Sequence, residues 1–182
     1  MKSQLELMRP GLETIVTGLR EVVGRGLGER QTAYAVADFL RDNLPGPDIL
    51  TPQEISEANG GYISKALYTQ QEFSVVGVVW SPGSRSAIHD HIAWCAFGVL
   101  SGNEHETLYR DMGDHLVEIG RSDNLPGSVS GFAPPGDIHL VHNTSDEVGI
   151  SLHVYGADVS ACNGSSIRRT YDLPVRTLVT TG

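Results

Sequence analysis

The chain has 182 residues, of which 40% are hydrophobic and 19% are charged, so it can form one globular domain with a buried core. Its 22 acidic and 13 basic residues give a formal net charge of −9, which disfavours binding to nucleic acid or to an anionic membrane. Two cysteines are too few for a disulfide framework, and the sequence has no Cys-x-x-Cys motif for zinc binding or redox exchange.

The N-terminal residues carry no signal-type apolar run before Glu6. The longest apolar stretch, residues 75–80, is far shorter than the roughly 20 residues that are needed to cross a bilayer. We therefore expect a soluble, cytoplasmic protein.

The first third of the chain has the apolar spacing of amphipathic helices. The pattern predicts one helix from Ser3 to Val23, ended by Gly24-Arg25-Gly26, and a second from Thr32 to Asn43. Thr51-Pro52-Gln53-Glu54 combines an N-cap, a first-turn proline and a capping-box acid, which predicts a further helix start. We expect residues 1–59 to form a helical cap.

After Gly60-Gly61 the sequence changes to short β-type runs that are separated by glycine and proline turns. Many short strands without intervening helices predict an antiparallel sandwich or barrel. We therefore expect a mainly β single domain over 1–182, with a barrel formed by 60–182. The predicted strands are Tyr62–Tyr68, Phe73–Trp80, Trp94–Leu100, Glu106–Arg110, Leu116–Ile119, Ile138–His142 and Val148–Tyr155.

Several of the seven histidines lie in or beside the predicted strands. His89 and His91 are two positions apart, so in a strand both imidazoles would point to one face and could bind one ion, with Asp90 pointing away. His139 and His142 compete for a third position, because residues three apart on a strand face opposite sides. A His-x-His pattern alone is a weak indication, since these residues also occur as surface or hydrogen-bonded strand histidines.

Two longer motifs surround these histidines. Five residues separate Gly83 from His89-x-His91, and Cys95 and Gly102 follow; a second block runs from Pro134 to His139. From about Tyr62 to Arg169 the sequence resembles the cupin superfamily, with Cys95 in place of the usual glutamate. The resemblance implies a double-stranded β-helix barrel of jelly-roll type, and it selects His139 as the third metal ligand.

More narrowly, the chain resembles the thiol dioxygenases, the group of cysteine dioxygenase and 3-mercaptopropionate dioxygenase. These enzymes bind Fe(II) through three histidines, which His89, His91 and His139 match, and carry a Ser-x-His-x-Tyr motif, which Ser151, His153 and Tyr155 match. The resemblance implies oxidation of a small thiol carboxylate by O₂ to the sulfinic acid. Three neutral imidazoles would leave the full metal charge to favour a thiolate.

The same resemblance assigns the Ser151, His153 and Tyr155 side chains to a hydrogen-bonded relay, with the tyrosine hydroxyl beside the metal. A purely structural interpretation is a buried tyrosine and histidine that satisfy each other's hydrogen bonds. A non-catalytic metal-binding cupin, or a cupin isomerase or lyase acting on a small anion with another metal, are the alternative functions. The relay favours the dioxygenase, because a protein that only binds has no need of a phenol at the O₂ site.

The substrate-binding residues are less defined by the sequence. The family's first barrel strand carries a tyrosine, here Tyr62, and two residues later an arginine or glutamine, here Ser64 followed by Lys65. A serine cannot make a bidentate contact with a carboxylate as arginine does. The preferred hypothesis is a mercapto acid held by Arg168 or Arg169, with assistance from Lys65; both arginines could also be solvated strand charges.

Cys95 stands near the position of the cysteine that, in animal cysteine dioxygenases, joins the motif tyrosine through a thioether. The resemblance therefore implies a Cys95–Tyr155 crosslink. The alternative is a buried, inert cysteine that packs as a small hydrophobic residue.

Overall fold

The computed structural model describes residues 8–176 of the chain. Three α-helices come first and are α1 (Leu12–Val23), α2 (Glu29–Asn43) and α3 (Pro52–Ser56), with short 3₁₀ helices at Pro47–Ile49 and Val159–Cys162. The strands are β1 (Tyr62–Thr69), β2 (Ser74–Trp80), β3 (His89–His91), β4 (Cys95–Ser101), β5 (Glu104–Asp111), β6 (Leu116–Asn124), β7 (Val129–Phe132), β8 (His139–Asn143), β9 (Gly149–Tyr155), β10 (Ile167–Thr170) and β11 (Val175–Arg176).

These strands form two curled sheets. One has the order β1-β2-β9-β4-β7, and the other has the order β10-β3-β8-β5-β6-β11. Neighbouring strands are antiparallel apart from β11, which lies parallel to β6. The non-sequential neighbours show that the chain crosses repeatedly between the sheets, as in a jelly roll. The prediction of a mainly β barrel with N-terminal helices is confirmed.

The first sheet is covered on both faces. Alternate residues of β9 from Ile150 to Val154 belong to the hydrophobic core that α1 and α2 share with the sheet. Ser151, His153 and Tyr155, which lie between and after them, face the barrel interior, where they contact one another. The two-residue period of the strand thus places the apolar residues under the helices and the polar residues inside the barrel.

The predicted first helix begins later than expected. Its Ser3–Leu7 part lies outside the described residues, and residues 8–11 are not helical, because Pro10-Gly11 forms a turn in which Gly11 has a φ of +75°. A φ in this left-handed region favours glycine and interrupts a right-handed helix. Met8, an apolar residue within the predicted helix, is 79% exposed.

The segment before α1 is fixed to α3 instead. The Arg9 guanidinium donates two hydrogen bonds to the Glu54 carboxylate, at 2.7 and 2.8 Å, and a third to the backbone oxygen of Ile49. Glu54 also completes the capping box with Thr51, which confirms the predicted helix start. None of the helices within residues 8–176 is long and apolar enough to cross a membrane.

Candidate metal centre and adjoining cavity

Three histidines from two paired strands meet inside the barrel. His89 and His91 are the two ends of the short strand β3, so their side chains point to the same side, and His89 lies opposite His139 of β8 in the sheet register. One ring nitrogen from each lies within 4.8 Å of the others, and the Nε2 atoms of His89 and His139 are 3.3 Å apart. All three side chains are buried. The structure therefore brings together the three predicted ligands.

The second ring nitrogen of each histidine has its own oxygen partner. Nδ1 of His89 lies 2.9 Å from the Ala87 carbonyl oxygen. Nδ1 of His91 lies 3.2 Å from Asp137 Oδ2, and Nδ1 of His139 lies 2.6 Å from Glu106 Oε1. An oxygen acceptor at Nδ1 favours the tautomer with hydrogen on Nδ1, which leaves the Nε2 lone pair free. Three such lone pairs directed at one point are the arrangement that a metal ion requires.

Burial also favours the uncharged form of His89 and His91. Removal from water, together with the neighbouring histidines, lowers the pKa of His89 to about 3, and burial lowers the pKa of His91 although Asp137 opposes the effect. Neutral imidazoles are the form that binds metal ions. Within residues 8–176, this is the group of side chains whose donor atoms could hold a metal ion, and all of its donors are imidazole nitrogens. Such a donor set fits a divalent first-row metal with open positions for exogenous ligands.

A buried hydrogen-bonded row continues from this centre along β9. Tyr155 Oη lies 3.1 Å from His153 Nδ1, and His153 Nε2 lies 2.9 Å from Ser151 Oγ. The Tyr155 ring stacks on His91 with 5.9 Å between ring centroids, which places the phenol beside the metal centre. Burial raises the pKa of the Tyr155 hydroxyl and lowers the pKa of His153 to about 3, so both groups are neutral near pH 7.

Cys95 lies directly opposite Tyr155 in the pairing of β4 with β9. Its sulfur is 3.9 Å from His153 Nδ1, the same nitrogen that contacts the Tyr155 hydroxyl. The thiol is fully buried, and burial together with nearby carboxyl groups raises its pKa. The structure thus places the two partners of the predicted crosslink side by side.

A cavity of about 160 Å³ opens beside the three histidines. Its walls combine apolar residues with residues that carry hydroxyl groups. The apolar part includes Val76, Val78, Trp80, Val141 and Val159, and the hydroxyl part includes Tyr62, Ser64, Ser86, Ser165 and Ser166. The volume suits a molecule of a few heavy atoms, and the apolar walls limit the water that can accompany it.

The predicted substrate-binding residues divide into two groups. Tyr62 lines the cavity and stacks on Trp80 at 4.6 Å. Lys65 is not among the lining residues; its ammonium pairs with Glu57 at 2.6 Å. Strand alternation explains the difference, because Tyr62 and Ser64 share the face that Lys65 does not.

Arg168 and Arg169 also lie outside the cavity lining. Both guanidiniums pair with the buried carboxylate of Asp90, and Arg169 donates a further hydrogen bond to Tyr171 at 2.7 Å. Although burial opposes it, the Arg168 and Tyr171 contacts lower the pKa of Asp90 to about 2. Asp90 points away from the histidines, as the strand parity predicted, and joins β3 to β10.

Three further residues of the site escaped the sequence analysis. Asp137 accepts hydrogen bonds from both the backbone and the ring of His91, Glu106 accepts one from His139, and Ser166 contacts the Tyr155 hydroxyl. Asp137 lies two residues before His139, so the motif itself carried a signal. Glu106 could be identified only from the pairing of β5 with β8. Ser166 could be identified only from the course of the loop before β10.

This chain is similar to known proteins in sequence and, at low identity, in structure. The model of the family described as cysteine dioxygenase type I matches residues 64–168. Solved structures at low identity include oxalate oxidase in complex with glycolate, at 15% identity and a TM-score of 0.44, covering 54% of this chain and 52% of that chain. They also include a cupin superfamily protein from Desulfitobacterium hafniense, at 16% identity and a TM-score of 0.42, covering 53% of this chain and 78% of that chain.

This chain thus spans about half of the oxalate oxidase chain that it matches. The family model, in contrast, covers more than half of the present sequence, including both histidine motifs and the Ser-x-His-x-Tyr motif. The chain belongs to the cysteine dioxygenase type I family.

Proposed function

We propose that the protein is an Fe(II)-dependent thiol dioxygenase that converts a small thiol and O₂ into the sulfinic acid, RSH + O₂ → RSO₂H. The observation that carries the proposal is the convergence of three buried imidazoles beside a phenol in one small cavity. The sulfur gains both oxygen atoms and reaches the second stage of the thiol oxidation series.

His89, His91 and His139 would hold the iron, and the bound iron would supply adjacent positions for a thiolate and O₂. The remaining chemistry belongs to side chains of the chain itself. The apolar walls exclude water, and the carboxylates of Asp137 and Glu106 orient two of the imidazoles. Tyr155 holds a proton at its phenolic oxygen, and His153 is placed to receive or return that proton.

The proposed substrate class is a thiol carboxylate of the size of cysteine or 3-mercaptopropionate. Its sulfur would lie at the histidines, and its far end would meet the hydroxyls of Tyr62, Ser64, Ser165 and Ser166. Arg168 is the next residue after Ile167, which lines the cavity. The half-exposed Arg168 guanidinium would leave its ion pair with Asp90 and bind the substrate carboxylate instead. The proposed cellular site is the cytoplasm.

The carboxylate part of the proposal is tested by comparing a mercapto acid with its amide, on the wild type and on Arg168→Ala and Arg169→Ala. A charged hydrogen bond contributes about 1.5–3 kcal/mol, so its loss should raise KM for the acid about tenfold or more and leave KM for the amide unchanged. Equal KM values for acid and amide in the wild type would exclude carboxylate capture by either arginine.

The thiol dioxygenase activity is tested with the iron-loaded protein and a panel of thiols, by recording O₂ consumption and identifying the product by mass spectrometry. Stoichiometric consumption with formation of a sulfinic acid supports the proposal. Tight thiol binding without O₂ consumption would favour a binding protein, and conversion of a small anion without O₂ would favour an isomerase or lyase.

A further inference from the structure

A buried carboxyl group inside the barrel has no part in the chemistry described so far. Glu104, the first residue of β5, is 1% exposed, and its Oε1 atom has no hydrogen-bond partner. A buried carboxyl group without full hydrogen bonding is costly, and such groups require an explanation. Because Glu104 and Glu106 are two positions apart on β5, Glu104 faces the same interior as the carboxylate that contacts His139.

Glu104 lies at the end of the Tyr155–His153–Ser151 row. Its carboxyl group lies next to the Ser151 hydroxyl and the Trp80 indole, and the indole nitrogen is 3.4 Å from Ser151 Oγ. Hydrogen bonds join Tyr155 to His153 and His153 to Ser151, and Glu104 is the neighbour of Ser151 at the end of this row.

Each hydroxyl group and the neutral imidazole in this row has one hydrogen to donate. The hydrogen bonds must therefore all point in the same direction along the row. His153 is neutral, so one ring nitrogen carries hydrogen and the other accepts. If Glu104 is ionised, it accepts from Ser151, Ser151 accepts from His153 Nε2–H, and the bare Nδ1 accepts from the Tyr155 hydroxyl. If Glu104 is protonated, it can donate to Ser151, and the whole series reverses, so that His153 Nδ1–H donates to the tyrosine oxygen and the Tyr155 O–H is directed into the cavity.

We propose that Glu104 is a positioning residue whose protonation state sets the direction of this hydrogen-bond series and thereby decides whether the Tyr155 hydroxyl donates to His153 or into the cavity. The consequence for catalysis rests on the proposed thiol dioxygenase function. The coupling between Glu104 and His153 does not, because it depends only on side chains that are present without metal or substrate.

Both forms of Glu104 are accessible near neutral pH. Burial and the neighbouring Glu106, opposed by Ser151 and Trp80, raise the pKa of Glu104 to about 7. Cys95 of β4 and Tyr155 and His153 of β9 are titratable groups that the other sheet directs into this interior, and all three are neutral at this pH. The residues opposite Glu104 in the register, Asn124 of β6 and Asn143 of β8, are uncharged.

The test is nitrogen-15 NMR of the histidine rings in the metal-free full-length protein, between about pH 5 and about pH 9, because the two imidazole tautomers have distinct shifts. The proposal predicts that His153 changes from Nδ1–H at low pH to Nε2–H at high pH, with a midpoint near 7, the value for Glu104. Glu104→Gln should remove this transition. Glu118→Gln, a change at a half-buried acid of β6 that pairs with Arg121, should leave it unchanged.

Ser151→Ala provides a second variant, in which Glu104 still titrates but His153 no longer follows it. A single His153 tautomer throughout the range in the wild type would overturn the proposal, as would a transition that persists in Glu104→Gln. On the iron-loaded enzyme, Glu104→Gln should lose the kcat change centred near pH 7. If the NMR transition is found and no thiol is oxidised, the proposed function fails and the inference about Glu104 stands.

Discussion

At the scale of single residues, the parity of β8 decides which histidine can bind metal. His139 is 3% exposed and faces the other two histidines, whereas His142 is opposite His105 in the sheet and faces away from them. His139→Ala should weaken metal binding by at least about 100-fold, the upper end of the effect of losing a partner that orients a ligand. His142→Ala should retain the metal, as measured by metal content after dialysis. The reverse result would show that the third ligand is wrongly assigned.

We expect Tyr155 to take part in proton transfer within the cavity and not in metal binding. Tyr155→Phe keeps the ring that stacks on His91 and removes only the hydroxyl. We expect unchanged iron content and a kcat that falls by about 10²-fold, the lower range for a positioned acid or base. Wild-type turnover in this variant would show that the Ser151–His153–Tyr155 row contributes only to packing.

The pairing of Cys95 with Tyr155 predicts a covalent bond in protein that has turned over. Formation of a thioether between the Cys95 sulfur and the Tyr155 ring removes one hydrogen from each residue, and O₂ accepts the two electrons. Mass spectrometry of a tryptic digest after turnover should find the two peptides joined and two hydrogens lighter than their sum. Only free Cys95 after many turnovers would establish the alternative, a buried packing thiol whose pKa is raised by burial.

At the scale of secondary-structure elements, the Arg9–Glu54 pair joins the segment before α1 to α3. The Arg9 guanidinium, against the effect of burial, lowers the pKa of Glu54 to about 2. A folded-state pKa below the unfolded value stabilises the protein at pH values above the unfolded pKa of about 4.5, and this stabilisation is lost as the pH falls towards 2.

Urea unfolding therefore provides a test. Between about pH 6 and about pH 2.5, the free energy of unfolding of the wild type should fall by about 1–2 kcal/mol more than that of Glu54→Gln, after allowance for the partial exposure of the pair. Equal losses in the two proteins would show that the ion pair contributes nothing to the acid sensitivity.

Much of the element order follows from sequence periodicity, and the exceptions have physical reasons. Strands with strong apolar character, such as β2 and β9, were predicted within one residue of their bounds. The short strands β3, β7, β10 and β11 were not among the predicted strands, because segments such as Val-Ser-Gly-Phe and Ile-Arg-Arg-Thr have little apolar alternation and are strands only through their neighbours. The true start of α1 depends on the turn at Gly11.

At the scale of the whole molecule, the barrel brings together residues that are far apart in the sequence. The three histidines and the Ser-x-His-x-Tyr motif were predictable because each lies in a short local motif with strand spacing. The partners of these residues were not, since Glu106 meets His139 only through the pairing of β5 with β8. The same holds for Asp90, which binds Arg168 across the pairing of β3 with β10, so that the predicted carboxylate-binding arginine has a competing partner.

The central claim is that the three-histidine centre and its cavity add O₂ to a thiol. The most direct measurement is the reaction of the iron-loaded protein with a small thiol carboxylate under ¹⁸O₂, followed by mass spectrometry of the product. The account predicts a sulfinic acid in which both oxygen atoms on sulfur come from O₂, and none in His139→Ala. A disulfide, or a product whose oxygen comes from water, would contradict it.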